Sequence, residues 1–391
     1  MVTEEYIASF DGTRLFTETF GEGDVPVVLC DGLGCDGFIW QHLTPVFRDR
    51  CKFYHFHYRG HGLSNEPAVE NATTVRDLRS DLCAVMDHYG LDKALLLGHS
   101  MGVQVILDFA IQYPERTMGI VPMCGSYGHP LDTFHNTDIG GKILPHLRRL
   151  MSLSPSIAQK FWTKTLTTEL AYQVAVNLEV NGKILKREEF GPYFQHLAAM
   201  NVSVFLGVVA GLMDHSTESQ LPDVNVPALV VGGQHDTFTP GWLSERMVDL
   251  LPDAELLMIP GGSHVAPIEI PELLHLRLKK FIDNRMVPQL KSGKTKTKKP
   301  KAKVEKSAEV TSKKKEEKKS AKKADKQAAK SAKQFLSVWE ETVEEAEVQA
   351  KEELKVESPA KKPKKDKGAK KDKSKKRKKD KKSAKSDSAQ A

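Results

Sequence analysis

The sequence predicts an α/β fold with a mostly parallel central sheet, and three observations favour it. Short apolar runs alternate with segments of helical periodicity, as expected when strands are buried on both faces and joined by crossover helices. The alternation stops over 126–216, which has helical character, and then resumes. From residue 289 the chain is rich in lysine and poor in apolar residues. We therefore predict a core of 1–125 and 217–288, an inserted helical cap over 126–216, and a disordered tail over 289–391.

The first part of the core opens with a hairpin. Two segments of strand character, 6–10 and 15–20, flank Asp11-Gly12-Thr13, a turn sequence typical of paired antiparallel strands. Helical periodicity follows over 74–89 and 101–113. Buried strands are predicted around these helices, over 26–30, 53–57, 94–97 and 119–123.

The second part of the core repeats this pattern in a shorter form. Apolar runs predict strands over 227–233 and 255–259, and a final helix is predicted over 271–285. Parallel sheets collect functional groups at the carboxyl ends of their strands. The loops that follow these strands are therefore the first place to look for chemistry.

Charge divides the chain into two unlike parts. Residues 291–391 contain 36 Lys+Arg and 17 Asp+Glu, a net charge of +19, whereas residues 1–290 contain 22 and 34, a net charge of −12. The acidic body has no basic surplus with which to bind nucleic acid. The tail resembles histone-like tails in composition only. We predict that it binds nucleic acid or another polyanion non-specifically, and the alternative is a solubilising tail that lies against the acidic body.

One segment of the tail differs from its lysine-rich flanks. Apolar residues recur at three and four over 334–356, with many glutamates between them, which predicts an amphipathic helix. A second copy, the body or the basic flanks could cover its apolar face. The alternative is a transient helix in a disordered tail.

Cysteine spacing and hydropathy bear on location. The five cysteines show no paired framework, and the start of the chain lacks a basic segment followed by an apolar one. No apolar run reaches the roughly 18 residues that a transmembrane helix needs. These observations predict a cytoplasmic protein without a transmembrane segment.

The strongest chemical signal is Gly98-His99-Ser100-Met101-Gly102, which has the pattern G-x-S-x-G. It lies between a predicted buried strand and a predicted helix, the context that a nucleophile elbow requires. Such a turn exposes the serine hydroxyl at the carboxyl end of the sheet. Small residues on either side allow the strand and the helix to pass closely. The motif therefore predicts Ser100 as a catalytic nucleophile.

A serine nucleophile needs a base, and the base needs an acid that orients it. Asp236 follows the predicted strand 227–233, and His264 follows 255–259 in a glycine-rich loop. This is the chain order Ser, acid, His that hydrolase sheets use. Asp214 and Asp223 are weaker alternatives for the acid, because neither follows a clear buried strand.

The oxyanion of a tetrahedral intermediate needs hydrogen-bond donors. We predict two backbone N–H groups for this role. One belongs to Met101, next to the nucleophile, and the other to Leu33, in the loop that follows the strand 26–30. Glycines at positions 32 and 34 would let this backbone approach a substrate closely. The alternative for this loop is a plain tight turn.

Together these motifs resemble the α/β-hydrolase superfamily over nearly all of 1–288, and most closely its serine esterase, lipase and haloperoxidase-like group. The matching segments are 58–64, 91–102, 227–236 and 264–269. The resemblance implies a Ser-Asp-His triad and no cofactor. The sequence also has no metal-binding spacing of the common kinds. Because residue 100 is Ser, the resemblance excludes the epoxide hydrolases and haloalkane dehalogenases of this fold, which use an Asp nucleophile.

Two residues depart from the family pattern. Family members usually carry His-Gly where this chain has Asp31-Gly32, and they usually carry Asp where this chain has His57. An Asp31 that points into the site would disfavour a second negative charge, whereas one that points away could hydrogen-bond locally. Trp40 and His61 are interpreted as structural.

The predicted function follows from the triad and the cap. Cap aromatic residues beside a cavity favour a small, fairly apolar acyl substrate. We expect a serine hydrolase that cleaves a carboxylic ester through an acyl-enzyme. A thioester, lactone or C–C bond hydrolase could use the same triad. The alternative of another class is an idle hydrolase fold that acts as an interaction protein with a polyanion-binding tail.

Overall fold

The computed structural model of the protein describes residues 2–132, 149–151, 153–169, 187–292 and 348. Within them, eight strands form one sheet in the order β1-β2-β4-β3-β5-β6-β7-β8. The first two pairings, β1 with β2 and β2 with β4, are antiparallel, and the others are parallel. The mostly parallel sheet is therefore confirmed. The strands are β1 Thr3–Ala8, β2 Arg14–Phe20, β3 Val25–Cys30, β4 Cys51–Phe56, β5 Ala94–His99, β6 Thr117–Met123, β7 Ala228–Gly233 and β8 Ala254–Ile259.

Helices cover both faces of this sheet. They are α1 Thr44–Phe47, α2 Val75–His88, α3 Met101–Gln112, α4 Pro155–Leu166, α5 Arg187–Ala199, α6 Val202–Met213, α7 Gly241–Leu250, α8 Ala266–Glu269, α9 Pro271–Phe281 and α10 Val287–Ser292. Short 3-10 segments lie at Phe38–Trp40, Pro114–Arg116, Pro130–Asp132 and Glu218–Asp223.

The alternation of side chains along β5 shows why its residues 94–97 are all apolar. Leu96 points into the cluster formed with α2, α3 and α7 on one face. Leu95 and Leu97 point into the cluster formed with α1 and α9 on the other face. A strand that is buried on both faces has no solvent side, so it cannot alternate apolar with polar residues. The predicted arrangement of helices on both faces is confirmed.

Local signals explain where the first elements begin and end. Gly12 has a φ of 87° in the turn that joins β1 to β2, and the N–H of Thr13 donates to the Asp11 carboxylate at 3.0 Å. Helix α2 begins with a capping box between Thr74 and Asp77, which satisfies N–H groups of its first turn.

Two elements near the end of the chain differ from the prediction. Helix α7 was not predicted, although a parallel connection from β7 to β8 needs a crossover of about a dozen residues, usually helical. The predicted helix 271–285 is regular only over Pro271–Phe281, and Ile282–Met286 forms a π-helical turn. Periodicity cannot distinguish these two helical forms over one turn, because they differ by a single residue per hydrogen bond.

The region predicted as a cap lies between β6 and β7. Its two ends meet where Gly128 and Ser216 form an isolated antiparallel bridge. Helices α4, α5 and α6 share a small apolar cluster, in which the Trp162 indole donates to the Leu197 carbonyl at 2.9 Å. Residues 133–148, 152 and 170–186 lie outside the described residues, as do 293–391 apart from Val348. The predicted disorder of the tail and its helix over 334–356 therefore lie outside them too.

Among the described residues, no individual helix has the length and apolar composition of a membrane span. Two adjacent helical segments, Phe190–Ala199 and Val202–Met213, meet that criterion only as a pair, and they are bent by 105° relative to each other.

Candidate active site

Ser100 occupies a sharp turn between β5 and α3. Its φ of 53° lies in a region that few non-glycine residues adopt. Glycines make the turn possible, because a Cβ atom on Gly98 would lie 2.6 Å from the Gly102 carbonyl oxygen and one on Gly102 would lie 2.1 Å from the Cys30 carbonyl oxygen. The predicted G-x-S-x-G segment therefore has the strained strand-to-helix geometry of a nucleophile elbow.

The structure brings Ser100, His264 and Asp236 into one hydrogen-bonded chain. Ser100 Oγ lies 3.0 Å from His264 Nε2, and His264 Nδ1 lies 3.0 Å from Asp236 Oδ2. Asp236 Oδ1 also accepts the backbone N–H groups of Phe238 and Thr239, both at 2.8 Å. These donors fix the carboxylate so that it can receive the imidazole Nδ1–H. Asp214 and Asp223, the weaker alternatives for the acid, are exposed.

Two residues that the sequence analysis did not single out hold the His264 loop. The His99 Nε2–H donates to the His264 carbonyl oxygen at 2.9 Å. Burial, followed by the nearby His264, lowers the pKa of His99 to about 4, so this ring is neutral at pH 7. Glu269 accepts from both the backbone N–H and the hydroxyl of Ser263, at 2.7 and 2.6 Å. His264, the candidate base, is thus fixed from strand β5 and from its own loop.

Leu33 and Met101 line the same cavity as Ser100. In the described part of the chain, neither backbone N–H donates to a protein acceptor. Gly32 lets the loop approach the nucleophile, because a Cβ atom there would lie 3.1 Å from His99 Nδ1 and 3.2 Å from Ser100 Cβ. Two N–H groups are therefore available for an oxyanion beside Ser100.

Asp31 hydrogen-bonds locally and has no side-chain exposure to the cavity or to solvent. Its carboxylate accepts from the Trp40 indole at 2.5 Å and from His55 Nε2 at 2.9 Å. The other ring nitrogen of His55 lies 2.8 Å from Glu18 Oε1. Burial alone would lower the pKa of His55, but Asp31 and then Glu18 raise it to about 10. The Asp31 carboxylate is therefore paired with an imidazolium, His55, beneath the loop that contains Leu33. Trp40 also hydrogen-bonds this carboxylate and so helps to support the loop.

This buried pair predicts a specific pH dependence of stability. Since the folded pKa of His55, about 10, exceeds the ordinary value of 6.5, its contribution is complete below pH 6.5 and is lost as the pH rises to about 10. We expect the unfolding free energy to fall by at most about 1.4 kcal/mol per pH unit in this window.

Urea unfolding at pH 7 and pH 9 measures this fall in the unfolding free energy. His55→Gln should reduce the dependence of the unfolding free energy on pH. His88→Gln changes an exposed pair with Glu5 and should leave this dependence as in the wild type. Equal slopes in all three proteins would contradict the assignment.

His57 and His61 have structural contacts. His57 Nδ1 accepts the Leu63 backbone N–H at 2.9 Å, and burial followed by the His55 charge lowers its pKa to about 4. The His61 Nδ1–H donates to the Arg59 carbonyl at 3.0 Å. A neutral His57 can accept a backbone N–H beside the cationic His55, so the absence of an aspartate at this position leaves the turn intact.

A small, mostly apolar cavity of about 110 Å³ opens onto Ser100. The region predicted as a cap carries the aromatic residues Phe161, Trp162, Tyr172, Phe190, Tyr193, Phe194 and Phe205. Phe205 lines the cavity, whereas Phe161 and Trp162 lie in the cap interior and Phe190, Tyr193 and Phe194 pack with the core. Tyr172 lies outside the described residues. Phe238 also lines the cavity, with its ring centroid 4.8 Å from that of His264. The lining residues are Leu33, Ser100, Met101, Gln104, Ser126, Pro130, Phe205, Val209, Leu212, Phe238 and Thr239.

Comparisons with known proteins identify the fold. A family model described as the α/β-hydrolase fold matches residues 25–271. The uncharacterized hydrolase YugF of Bacillus subtilis is 26% identical over 280 residues, which cover 70% of this chain and 95% of the relative. Protein ABHD8 of Bos taurus is 27% identical over 267 residues, which cover 67% of this chain and 56% of ABHD8. An enol-lactonase from Burkholderia xenovorans LB400 matches with a TM-score of 0.59 at 19% identity, covering 72% of this chain and 100% of that chain.

The matched segment contains Ser100, Leu33 and the loops after β7 and β8, in which Asp236 and His264 lie. It extends over more than half of the chain. The chain therefore belongs to the α/β-hydrolase fold family and is a hydrolase of that family.

Proposed function

We propose that the protein is a serine hydrolase that cleaves a carboxylic ester of a small, largely apolar substrate through an acyl-enzyme. One observation carries this proposal: the hydroxyl of Ser100 lies 3.0 Å from a histidine whose far nitrogen is held by a buried carboxylate. The site also has two unpaired backbone donors and an apolar cavity on the same side of the nucleophile.

The reaction would proceed in two halves. His264 Nε2 accepts the Ser100 proton as Oγ attacks the ester carbonyl, and Asp236 stabilises the imidazolium that forms. The N–H groups of Leu33 and Met101 donate to the oxyanion, and His264 then returns the proton to the departing alcohol. In the second half, His264 takes a proton from the water that attacks the acyl-enzyme, and it returns this proton to Ser100 Oγ as the acid is released.

The size of the cavity bears on the acyl group. A volume of about 110 Å³ with a mainly apolar lining favours a short acyl chain over a long or charged one. A thioester, a lactone or an activated C–C bond would present the same carbonyl to Ser100, so these remain alternatives. An enol-lactonase is among the structural neighbours, which makes the lactone the first alternative to assay.

Covalent labelling with a fluorophosphonate tests the nucleophile. Ser126 provides a matched control, because it lines the same cavity but its hydroxyl donates to the Gly128 carbonyl at 2.5 Å. We expect labelling of the wild type and of Ser126→Ala, and none of Ser100→Ala. Labelling that persists in Ser100→Ala, or its absence from the folded wild type, would contradict the proposal.

Turnover of para-nitrophenyl esters from acetate to decanoate tests the acyl group. We expect kcat/KM to be highest for short chains and to fall once the chain exceeds the cavity. Preference for thioesters or lactones over esters of equal reactivity would replace the ester assignment while keeping the nucleophile.

A further inference from the structure

Gln104 is a buried amide with an unused donor in the cavity. It lies on α3, one helical turn after Ser100, and only 1% of its surface is exposed. Its Oε1 accepts from His215 Nδ1 at 2.9 Å. Its Nε2 has no hydrogen-bond partner in the described part of the chain, although the residue lines the cavity. A buried amide donor without a partner costs free energy unless a ligand or water satisfies it.

The amide is held in this orientation by a chain of side chains. His215 Nε2 lies 3.6 Å from Asp108 Oδ1, and Arg79 donates to the other oxygen of Asp108 at 2.8 Å. His215, Asp108 and Arg79 are not among the residues that line the cavity. His215 Nδ1 faces Oε1, so the NH₂ group is the free end of an amide that lines the cavity.

The other polar groups on the cavity wall are already engaged. Ser126 Oγ donates to the Gly128 carbonyl, and Thr239 Oγ1 donates to Asp236 Oδ2 at 2.8 Å. The remaining lining side chains, apart from the nucleophile, are apolar. Among the described residues that line the cavity, Gln104 Nε2 and the Ser100 hydroxyl are thus the side-chain donors left for a bound substrate.

We propose that Gln104 is a specificity-determining residue that recognises a hydrogen-bond acceptor on the acyl group, such as an oxo or ether oxygen a few bonds from the scissile carbonyl. Ser100 and Gln104 line the same cavity of about 110 Å³, so the acceptor and the scissile carbonyl must lie within a few bonds of each other. This inference rests on the proposed ester hydrolysis. It narrows the proposed substrates from esters with a plain alkanoyl group to esters and lactones whose acyl group carries an oxo or alkoxy oxygen.

Paired esters test the inference. Levulinate and isocaproate para-nitrophenyl esters have nearly the same shape and differ by an oxo oxygen in place of a methyl group. Methoxyacetate and butyrate form a second pair, in which the oxygen is two bonds nearer to the scissile carbonyl carbon. The ratio of kcat/KM within a pair is compared between the wild type and Gln104→Leu, so that differences in intrinsic ester reactivity cancel.

We expect the preference for the oxygenated ester in at least one pair to fall about tenfold in Gln104→Leu, with turnover of the apolar ester retained. Gln104→Glu, which keeps the shape but places an acceptor in the cavity, should lower the ratio at least as much and provides the test if the leucine variant does not fold. Gln220→Leu, at an exposed position, should give the wild-type ratio.

The outcomes distinguish the role of Gln104 from the proposed function. The role of Gln104 is overturned if the wild type, Gln104→Leu and Gln104→Glu are all labelled by the fluorophosphonate and all give the same kcat/KM ratios within the ester pairs. The proposed function then still holds. Absence of both labelling and turnover in the wild type would overturn the proposed function and this inference with it.

Discussion

Replacing His264 with alanine is expected to lower kcat for a short ester by about a millionfold, because the proton of Ser100 then has no acceptor. Asp236→Asn should cost about ten-thousandfold, since an amide cannot hold the imidazole in the required tautomer. Steady-state assays with a para-nitrophenyl ester measure both values.

His235 offers a matched control for these variants. It is the exposed neighbour of Asp236, and its backbone N–H, rather than its ring, makes the local contact with the Gly262 carbonyl. His235→Ala should leave kcat nearly unchanged. A folded His264→Ala protein that keeps most of the wild-type turnover would show that another group acts as the base.

Replacing Arg59 with methionine is expected to lower the free energy of unfolding by about 3–5 kcal/mol, because it leaves the Asp81 carboxylate buried without its counter-charge. Arg59 is fully buried and donates to Asp81 at 2.8 and 2.6 Å and to Asp11 at 2.9 Å. These contacts join the turn after β4 to helix α2 and to the β1–β2 turn. Urea denaturation followed by circular dichroism measures the loss.

The Arg50–Asp283 pair provides the control. Its side chains are 40% and 34% exposed, so solvent screens the interaction and Arg50→Met should cost less than about 1 kcal/mol. Adding Asp81→Asn to Arg59→Met should recover part of the loss, because the buried charge is then removed. Equal costs for Arg59→Met and Arg50→Met would contradict the account of the buried pair.

Local patterns predicted much of the core because the physical requirements there are local. Two-sided burial demands continuous apolar runs in β3, β5, β6 and β7, and the elbow at Ser100 demands small residues on both sides. Helix α7 was missed even though the connection of parallel strands requires a crossover, so a topological rule would have found it where periodicity did not. The π-helical turn after α9 has no such signal.

The contacts that hold the candidate site in place join segments that are distant in the sequence. His99 and His264 are far apart in the chain, yet a hydrogen bond between them fixes the base. The hydrogen bond between Asp31 and His55 shows that Asp31-Gly32 does not place an unpaired negative charge in the site, because the carboxylate is neutralised beneath the loop that contains Leu33. Nothing in the spacing of either pair predicts that they meet.

The sequence by itself determined most strands and helices of the core, the nucleophile elbow, the candidate acid and base, and the opposite charges of body and tail. Each of these depends on residues that are neighbours in the chain or on composition. Only the tertiary structure decided which way Asp31 points, what holds His264, and that Gln104 directs an amide into the cavity. Those properties depend on the distances and burial of side chains from separate elements, and both are set only when the sheet and its helices pack together.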